Sequence, residues 1–114
     1  MIFQREILLV PFPFSDQSGK KVRPVCVISN NNFNRYSEDI IVVGVTSNLS
    51  KDRHTVSLTQ KDLEGGILNV ESCIKVENIL KIDKYLVIKN IGKINKNKFR
   101  EVIRILNEIL EIKD

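Results

Sequence analysis

The chain has 114 residues, of which 42% are hydrophobic and 6% aromatic, and its formal net charge is +4. This length predicts one domain, residues 1–114, with a core that is mainly aliphatic because Trp is absent. No apolar run approaches the roughly 18 residues of a membrane span, and the segment before Val10 is too short and polar for a signal peptide. We therefore expect a cytoplasmic protein that does not insert into a membrane.

The first half of the chain is rich in short apolar runs. Runs bounded by turn residues predict four strands, at Glu6–Phe12, Val22–Ser29, Ile40–Thr46 and His54–Leu58. Between the first two, Pro11, Pro13 and the segment Ser15–Gly19 predict a loop. An Asn-rich segment, Asn30–Glu38, separates the second strand from the third.

The second half changes from strand to helix. Thr59–Leu63 predicts a single helical turn that Gly65 and Gly66 close, and Ser72–Ile79 alternates as a fifth strand. Tyr85–Ile94 predicts one more short strand. From Lys96 onward, apolar residues recur at helical spacing, with Asn95 as the N-cap. These apolar positions are Phe99, Val102, Ile103, Leu106, Ile109 and Leu110.

Five or six short strands followed by one amphipathic helix predict a small, mostly antiparallel, partly closed barrel with the helix laid against it. Cys26 and Cys73 each lie inside an apolar run, without the spacing of a zinc site or the density of a disulfide scaffold. Both are expected to be small core residues, and a disulfide between them requires their strands to pair. The sequence predicts neither a metal nor a cofactor.

Polar residues stand at the ends of two apolar runs. Arg23 opens the second strand, and Thr46 with Ser47 closes the third. If these two strands are neighbours, a guanidinium and a hydroxyl lie near one rim of the sheet, which is the beginning of a phosphate site. A second feature is the basic stretch from Lys81 to Arg100. Its seven basic residues stand against one acidic residue, Asp83, and are typical either of a solvated face or of a nucleic-acid contact.

Four segments in order resemble the MazF/PemK family, the ribonuclease toxins of bacterial toxin–antitoxin pairs. They are ILLVPFPFSD (Ile7 to Asp16), RPVCVIS (Arg23 to Ser29), IVVGVTS (Ile41 to Ser47) and GGILNVESCIKVENILKIDK (Gly65 to Lys84). The resemblance implies a mainly β, SH3-like barrel of five to seven short strands with a C-terminal amphipathic helix, shared with the gyrase poison CcdB. It also implies a homodimer, metal-independent cleavage of single-stranded RNA, and a cognate antitoxin whose C-terminal segment covers the RNA-binding surface.

The same resemblance assigns site residues. By motif position, Arg23 matches the catalytic arginine of the family and Thr46 its catalytic hydroxyl residue. Lys75 lies where relatives often carry Arg, and Glu77 lies where some carry Asp. Asp16, with Lys20 and Lys21, belongs to the first loop, which contacts RNA in the family, and Ser47 is expected beside Thr46 at the RNA. The acidic C-terminal segment expected of the antitoxin would compete with RNA for a basic groove.

Three positions depart from the family pattern. The Gly-Asp pair that usually opens the first strand is replaced by Arg5 and Glu6, a change expected to affect only the start of that strand. Lys75 replaces an arginine, and its compact ammonium cannot grip phosphate with two parallel hydrogen bonds. We therefore expect Lys75 to act as an electrostatic contact and not as the proton donor.

The proton-transfer steps remain open at the level of sequence. Glu77 is a candidate general base, with an exposed ion pair to Lys75 as the alternative, and the resemblance suggests that arginine itself can serve as acid or base. His54, the only histidine, lies outside the motifs and is expected to have a surface or packing role. Two other functions compete with RNA cleavage: a non-enzymatic, CcdB-like toxin that binds a protein such as gyrase, and a non-catalytic RNA-binding barrel that uses the Lys81 to Arg100 stretch.

Overall fold

A computed structural model of the protein describes residues 1–12 and 21–114. The described elements are β1 (Glu6–Phe12), β2 (Lys21–Val27), α1 (Asn31–Tyr36), β3 (Asp39–Thr46), β4 (Thr55–Leu58), β5 (Leu63–Gly66), β6 (Ser72–Asp83), β7 (Lys89–Ile94) and α2 (Lys96–Leu110). Two short 3₁₀ turns, Gln60–Asp62 and Lys84–Leu86, join β4 to β5 and β6 to β7.

The seven strands form one sheet in the order β4-β6-β3-β2-β1-β7-β5, and all of its strand pairs are antiparallel. The sheet curls into a half-barrel, and the strands at its two edges, β4 and β5, have only four residues each. The prediction of a mainly β, mostly antiparallel barrel with a C-terminal helix is therefore confirmed.

The central strands read as continuous apolar runs because both faces of the sheet are buried. One face packs against α2 through Ile7, Cys26, Val43, Val45, Val56, Leu58, Ile74, Val76 and Ile94. The other face carries Leu8, Val10, Val25, Val27, Ile40 and Val42, which Ile2, Leu80, Ile82 and Val87 cover. In β2 and β3, successive residues therefore enter different cores, and only the ends of these strands can carry polar groups.

The long strand β6 contains an irregularity opposite β3. Val43 pairs with Ile79 while the next residue, Gly44, pairs with Lys75, so that Val76, Glu77 and Asn78 have no partner on β3. The Val76 amide instead donates to the His54 carbonyl at 3.0 Å, at the start of β4. Extra residues of this kind bend a strand and redirect its side chains.

Helix α2 begins as the sequence predicts. The Asn95 side chain caps it by accepting from the Lys98 amide at 2.7 Å, and Phe99, Val102 and Ile105 are its buried residues. The predicted apolar stripe is only partly core, because Ile109 and Leu110 at the end of the helix are exposed. Within the described ranges, no helix combines the length and the apolar character that crossing a membrane requires.

Two elements differ from the sequence prediction. The Asn-rich segment contains the short helix α1, and Leu63–Gly66 is a strand that pairs with β7 and not the close of a helical turn. The strands of Cys26 and Cys73 do not pair, since β3 lies between β2 and β6, and both thiols are free. Burial raises the pKa of the Cys26 thiol to about 12, against a smaller opposite effect of Arg5, so Cys26 is a neutral core residue at physiological pH.

Candidate active site at the ends of β2 and β3

The register of β2 and β3 brings Arg23 and Thr46 together. Val25 and Gly44 are the last pair of β2 and β3 at this end of the sheet, and Arg23 and Thr46 each lie two residues beyond that pair. Since side chains alternate along a strand, Arg23 and Thr46 extend from the same face as Val25 and Gly44. Both residues are partly buried. The two strands are neighbours, as the sequence argument required.

Arg23, Thr46 and Ser47 also line one cleft of about 530 Å³. Its described lining is mostly apolar, with Leu9, Val22, Pro24, Val45, Ile67, Leu68, Val70 and Ile91, and its other polar members are Asn69, Ser72 and Lys89. Pro24 and Val45 alternate with Arg23 and Thr46 along their strands and so belong to the opposite face. The cleft therefore lies at the rim of the sheet, where both rows of residues reach solvent.

The Thr46 hydroxyl closes a turn and can still contact a ligand. Its oxygen accepts from the Asn48 amide at 3.1 Å, a short local turn of the kind that Ser and Thr favour. A hydroxyl also has one hydrogen to donate, and this bond leaves that hydrogen uncommitted. The turn and the phosphate contact predicted for Thr46 are therefore compatible.

Lys75 lies one row further along the same face. It pairs with Gly44 on β3 and with Thr55 on β4, so the row Val25, Gly44, Lys75 runs directly beside the row that contains Arg23 and Thr46. Gly44 contributes no side chain to this row. A Cβ at Gly44 would lie 3.3 Å from the Cβ of Asn78, a residue of the β6 irregularity. Asn78 thus borders the site, although the sequence analysis assigns it no role.

Glu77 contacts two basic side chains on the face that carries Lys75. Its Oε2 is 3.5 Å from His54 Nδ1, and its Oε1 is 4.0 Å from Lys75 Nζ. The three side chains are 30 to 40% exposed, so solvent screens these pairs and they contribute little stability. Glu77 and Lys75 are not among the described lining residues of the cleft. His54, for which a surface or packing role is predicted, is here the partner of the candidate base.

The remaining predicted RNA contacts are only partly described. Asp16 and Lys20 lie outside the described residues. Lys21 is the first residue of β2 and pairs with Phe12. Within residues 1–12 and 21–114, no three His, Cys, Asp or Glu side chains come together in a way that could hold a metal ion.

Sequence reasoning did not single out the far wall of the cleft. Ile67, Asn69 and Val70, in the connection from β5 to β6, together with Lys89 on β7, form that wall. The signal that could have found them is the exposure of apolar residues, since Ile67 is 69% and Val70 is 58% exposed. These residues reach the site because β7 pairs with β1, where Lys89 stands opposite Leu9.

Several solved structures are similar to this one, and MazF toxins are among them. An endoribonuclease in complex with its cognate antitoxin from a mycobacterial species matches with a TM-score of 0.81 at 15% identity, over 100% of this chain and 99% of that one. A MazE–MazF complex from Deinococcus radiodurans matches with a TM-score of 0.79 at 18% identity, over 98% of each chain. The toxin MazF-mt6 from Mycobacterium tuberculosis matches with a TM-score of 0.77 at 15% identity, over 96% of this chain and 100% of that one. Likeness at these identities establishes the fold.

The family itself follows from the sequence. Residues 3–110 match the sequence model of the PemK-like, MazF-like toxins of type II toxin–antitoxin systems. The chain therefore belongs to that family, as the four segments from Ile7 to Lys84 predicted.

Proposed function

We propose that this toxin is an endoribonuclease that cuts single-stranded RNA at particular short sequences, with Arg23 and Thr46 at the reacting phosphate. The observation that supports the proposal is the single cleft that Arg23, Thr46 and Ser47 line at the ends of the neighbouring strands β2 and β3. Membership of the toxin family supports it, and two of the similar solved proteins are named endoribonucleases.

The chemistry needs no covalent enzyme intermediate. The ribose 2′-oxygen attacks the neighbouring phosphorus, the bond from phosphorus to the 5′-oxygen breaks, and a cyclic phosphate and a free 5′-hydroxyl remain. One proton leaves the 2′-hydroxyl and one must reach the departing 5′-oxygen. Arg23 can donate two parallel hydrogen bonds to the phosphorane oxygens, and the Thr46 hydroxyl can donate a third. Lys75 and Ser47, with Asp16 and Lys20 of the first loop and Lys21 at the start of β2, are assigned to binding the RNA.

Removal of Arg23 tests the assignment directly. The Arg23→Ala variant should cut unstructured RNA at least about 100-fold more slowly than the wild type, because a preorganised donor to a developing oxyanion contributes on that order. Cleavage should be measured with EDTA present, by following labelled RNA on gels. An RNA with 2′-deoxyribose at the cleaved position should resist the wild-type protein, since the nucleophile is then missing.

Two matched variants make the result interpretable. Lys96→Ala also removes a cation but lies on the exposed start of α2, and its activity should equal that of the wild type. Arg23→Lys keeps the charge without the fork geometry, so it should remain well below the wild type. An Arg23→Ala protein that folds and still cuts normally would remove Arg23 from the mechanism. One that no longer cuts but still arrests growth would favour a toxin that binds a protein target.

For the proton taken from the 2′-hydroxyl we assign Glu77 as the general base, on the same face as Lys75. Glu77→Gln should then lower kcat by about 100-fold, the usual contribution of a positioned base. His54→Gln is the control, because it removes the partner of Glu77 and leaves the carboxylate. Equal small effects of both substitutions would mean that Glu77 serves only in the ion pair, and the base would then have to be sought at Arg23.

The partners follow the same proposal. We expect a homodimer in the cytoplasm, held inactive by a cognate antitoxin whose acidic C-terminal segment occupies the RNA groove; two of the similar solved structures are toxin–antitoxin complexes. The rival function of a non-catalytic barrel that binds RNA through Lys81 to Arg100 has less support. Lys81, Lys98 and Arg100 of that stretch already contact acidic or amide side chains of the protein.

A further inference from the structure

One basic residue of the Lys81 to Arg100 stretch lies at the cleft. Lys81 is paired with Asp39 at 3.8 Å, and Lys84 Nζ donates to the Asn34 carbonyl at 2.7 Å. Lys93 lies over the ring of Phe3, 5.6 Å from its centre. Lys98 is 3.7 Å from Asp62, and Arg100 bonds to Asn97. Lys89, in contrast, is exposed and lines the 530 Å³ cleft together with Arg23.

The cleft continues past Lys89. A second cleft of about 340 Å³ is lined by Gly66, Ile67, Asn69, Lys89, Asn90 and Ile91. Four of these residues, Ile67, Asn69, Lys89 and Ile91, also line the first cleft. The two clefts therefore form one groove that runs from Arg23 and Thr46 across the end of β1 to Asn90 on β7. Volumes of this size are typical of sites for small molecules or parts of polymers.

The groove combines three kinds of group. Ile67, Val70 and Ile91 supply apolar surface, on which the flat face of a base can pack. Asn69 is exposed and carries an amide that can both donate and accept hydrogen bonds, as the edge of an unpaired base requires. Lys89 supplies a flexible positive charge suited to a phosphate oxygen. A nucleotide presents all three counterparts.

Lys89 is also at a suitable distance from the reacting phosphate. It pairs with Leu9 on β1, which pairs with Pro24 on β2, so its Cα lies two strand spacings, or about 10 Å, from the strand that carries Arg23. The row Lys89, Leu9, Pro24 lies on the face of the sheet opposite to Arg23, so we assign the Lys89 ammonium and the Arg23 guanidinium to different phosphates of one strand.

We propose that Lys89, Ile67 and Asn69 form a second nucleotide subsite, which binds a base and phosphate flanking the cleaved bond. Lys89 holds the phosphate, Ile67 packs against the base and Asn69 reads the base edge. The inference rests on the proposed ribonuclease function, because it assigns the occupant of the groove as the same RNA strand that Arg23 contacts. An acidic peptide is the competing occupant, and the experiments separate the two.

The first experiment measures binding without cleavage. The probe is a fluorescein-labelled, 12-nucleotide 2′-O-methyl RNA with the sequence that the wild-type toxin cuts or, if it cuts none, with the sequence that it selects from a random pool. Lys89→Gln should weaken binding by about 3- to 10-fold, and the slope of log affinity against log salt should fall by about 0.7, the value for one lost phosphate contact on a single strand. Fluorescence anisotropy at several salt concentrations gives both quantities.

Lys96→Gln is the matched control for this measurement. It removes the same charge from an exposed position outside both clefts, so its affinity and its salt slope should equal those of the wild type. Identical behaviour of Lys89→Gln and Lys96→Gln would overturn the subsite. Circular dichroism establishes that both variants are folded.

The second experiment tests the base contact. Single abasic positions are introduced along the RNA probe, one at a time. An abasic site at one flanking position should reduce the RNA affinity of the wild type several-fold. The affinity of Ile67→Ser should already be reduced, and an abasic site at that same position should not lower it further. If no abasic position depends on Ile67, the base assignment is wrong.

The outcomes also distinguish the inference from the function on which it rests. Loss of cleavage in Arg23→Ala, together with normal RNA binding by Lys89→Gln, would leave the ribonuclease intact and remove the subsite. RNA binding that depends on Lys89, in a protein that cuts no RNA, would remove the ribonuclease and retain the subsite. If Lys89→Gln impairs binding of an acidic antitoxin peptide and not of RNA, the groove is a peptide site and the proposal fails.

Discussion

At the scale of single residues, Arg5 is the one non-glycine residue with a positive φ within residues 1–12 and 21–114. Its φ is 79°, in the left-handed region that favours glycine, and glycine is the residue that the family usually carries before the first strand. The side chain offsets this strain, because its Nη1 donates to the Ile94 carbonyl at 2.8 Å and lies 3.0 Å from the Glu64 carboxylate. The expectation that this substitution affects only the start of the strand underestimates it, since Arg5 ties β1 to β5 and β7.

Two substitutions separate the backbone of Arg5 from its side chain. Arg5→Gly and Arg5→Ala both remove the contacts to Ile94 and Glu64, but only alanine keeps the unfavourable φ. We therefore expect Arg5→Gly to be more stable than Arg5→Ala by about 1 kcal/mol, with both below the wild type. Urea denaturation measures the difference. Equal stabilities would show that the backbone at this position relaxes without cost.

The sequence allows Arg23 and Thr46 to be proposed for the candidate site, because each belongs to a motif. Arg23 and Thr46 lie at the ends of apolar strands, and strand pairing alone was enough to bring them together. Lys89, Asn78 and the partnership of His54 with Glu77 could not be predicted, because each depends on a contact between distant segments. Lys89 reaches the cleft only through the pairing of β7 with β1, and Asn78 borders it only through the irregularity in β6.

At the scale of elements, segments with a strong local pattern could be predicted, and segments held by contacts between distant parts of the chain could not. The strands β1 to β4, β6 and the helix α2 have strong apolar patterns, and each was predicted within a few residues. Helix α1 has only six residues, too few to be stable alone, and tertiary contacts hold it: the Asn34 amide is buried against the Ser29 carbonyl at 2.9 Å. Its N-cap, Asn30, accepts from the Phe33 amide and was the one local signal of a helix.

Strand β5 contains two glycines that have different tolerances. At Gly66, where φ is +95°, an added Cβ would lie 2.3 Å from both the Gly92 Cα and the Ile91 carbonyl oxygen. At Gly65, an added Cβ would meet nothing within 4 Å. Gly66 therefore permits the close approach of β5 to β7 that a Cβ would block.

Gly66→Ala should lower the free energy of unfolding by about 3 kcal/mol or more, because the clash is with backbone atoms that cannot move aside. Gly65→Ala is the matched control and should change stability by less than about 1 kcal/mol. Urea denaturation of both variants provides the comparison. A small effect at Gly66 would mean that the edge of the sheet can shift away from β7.

At the scale of the whole molecule, the cationic groove makes one prediction about regulation. The chain carries a net charge of +4, and Arg23 and Lys89 line the same cleft. An acidic segment from the antitoxin and the RNA backbone would compete for those cations. A synthetic peptide with the C-terminal sequence of the proposed cognate antitoxin should therefore inhibit cleavage competitively, and more weakly as salt rises.

Initial-rate kinetics at several RNA concentrations and two salt concentrations test this prediction. A peptide of the same composition in scrambled order is the control for charge alone, and it should inhibit less. Inhibition that lowers kcat without raising KM would place the antitoxin peptide away from the groove.

The two shortest paired strands, β4 and β5, form the lateral limits of the sheet. With four residues each, they leave few main-chain amides and carbonyls open to a foreign chain. The two edges of the sheet therefore offer little template for cross-β stacking between copies of this chain. Concentrated stocks of the protein should stay free of amyloid-like fibres and of thioflavin T fluorescence, even though most of its central strands are the branched aliphatic segments that such fibres favour.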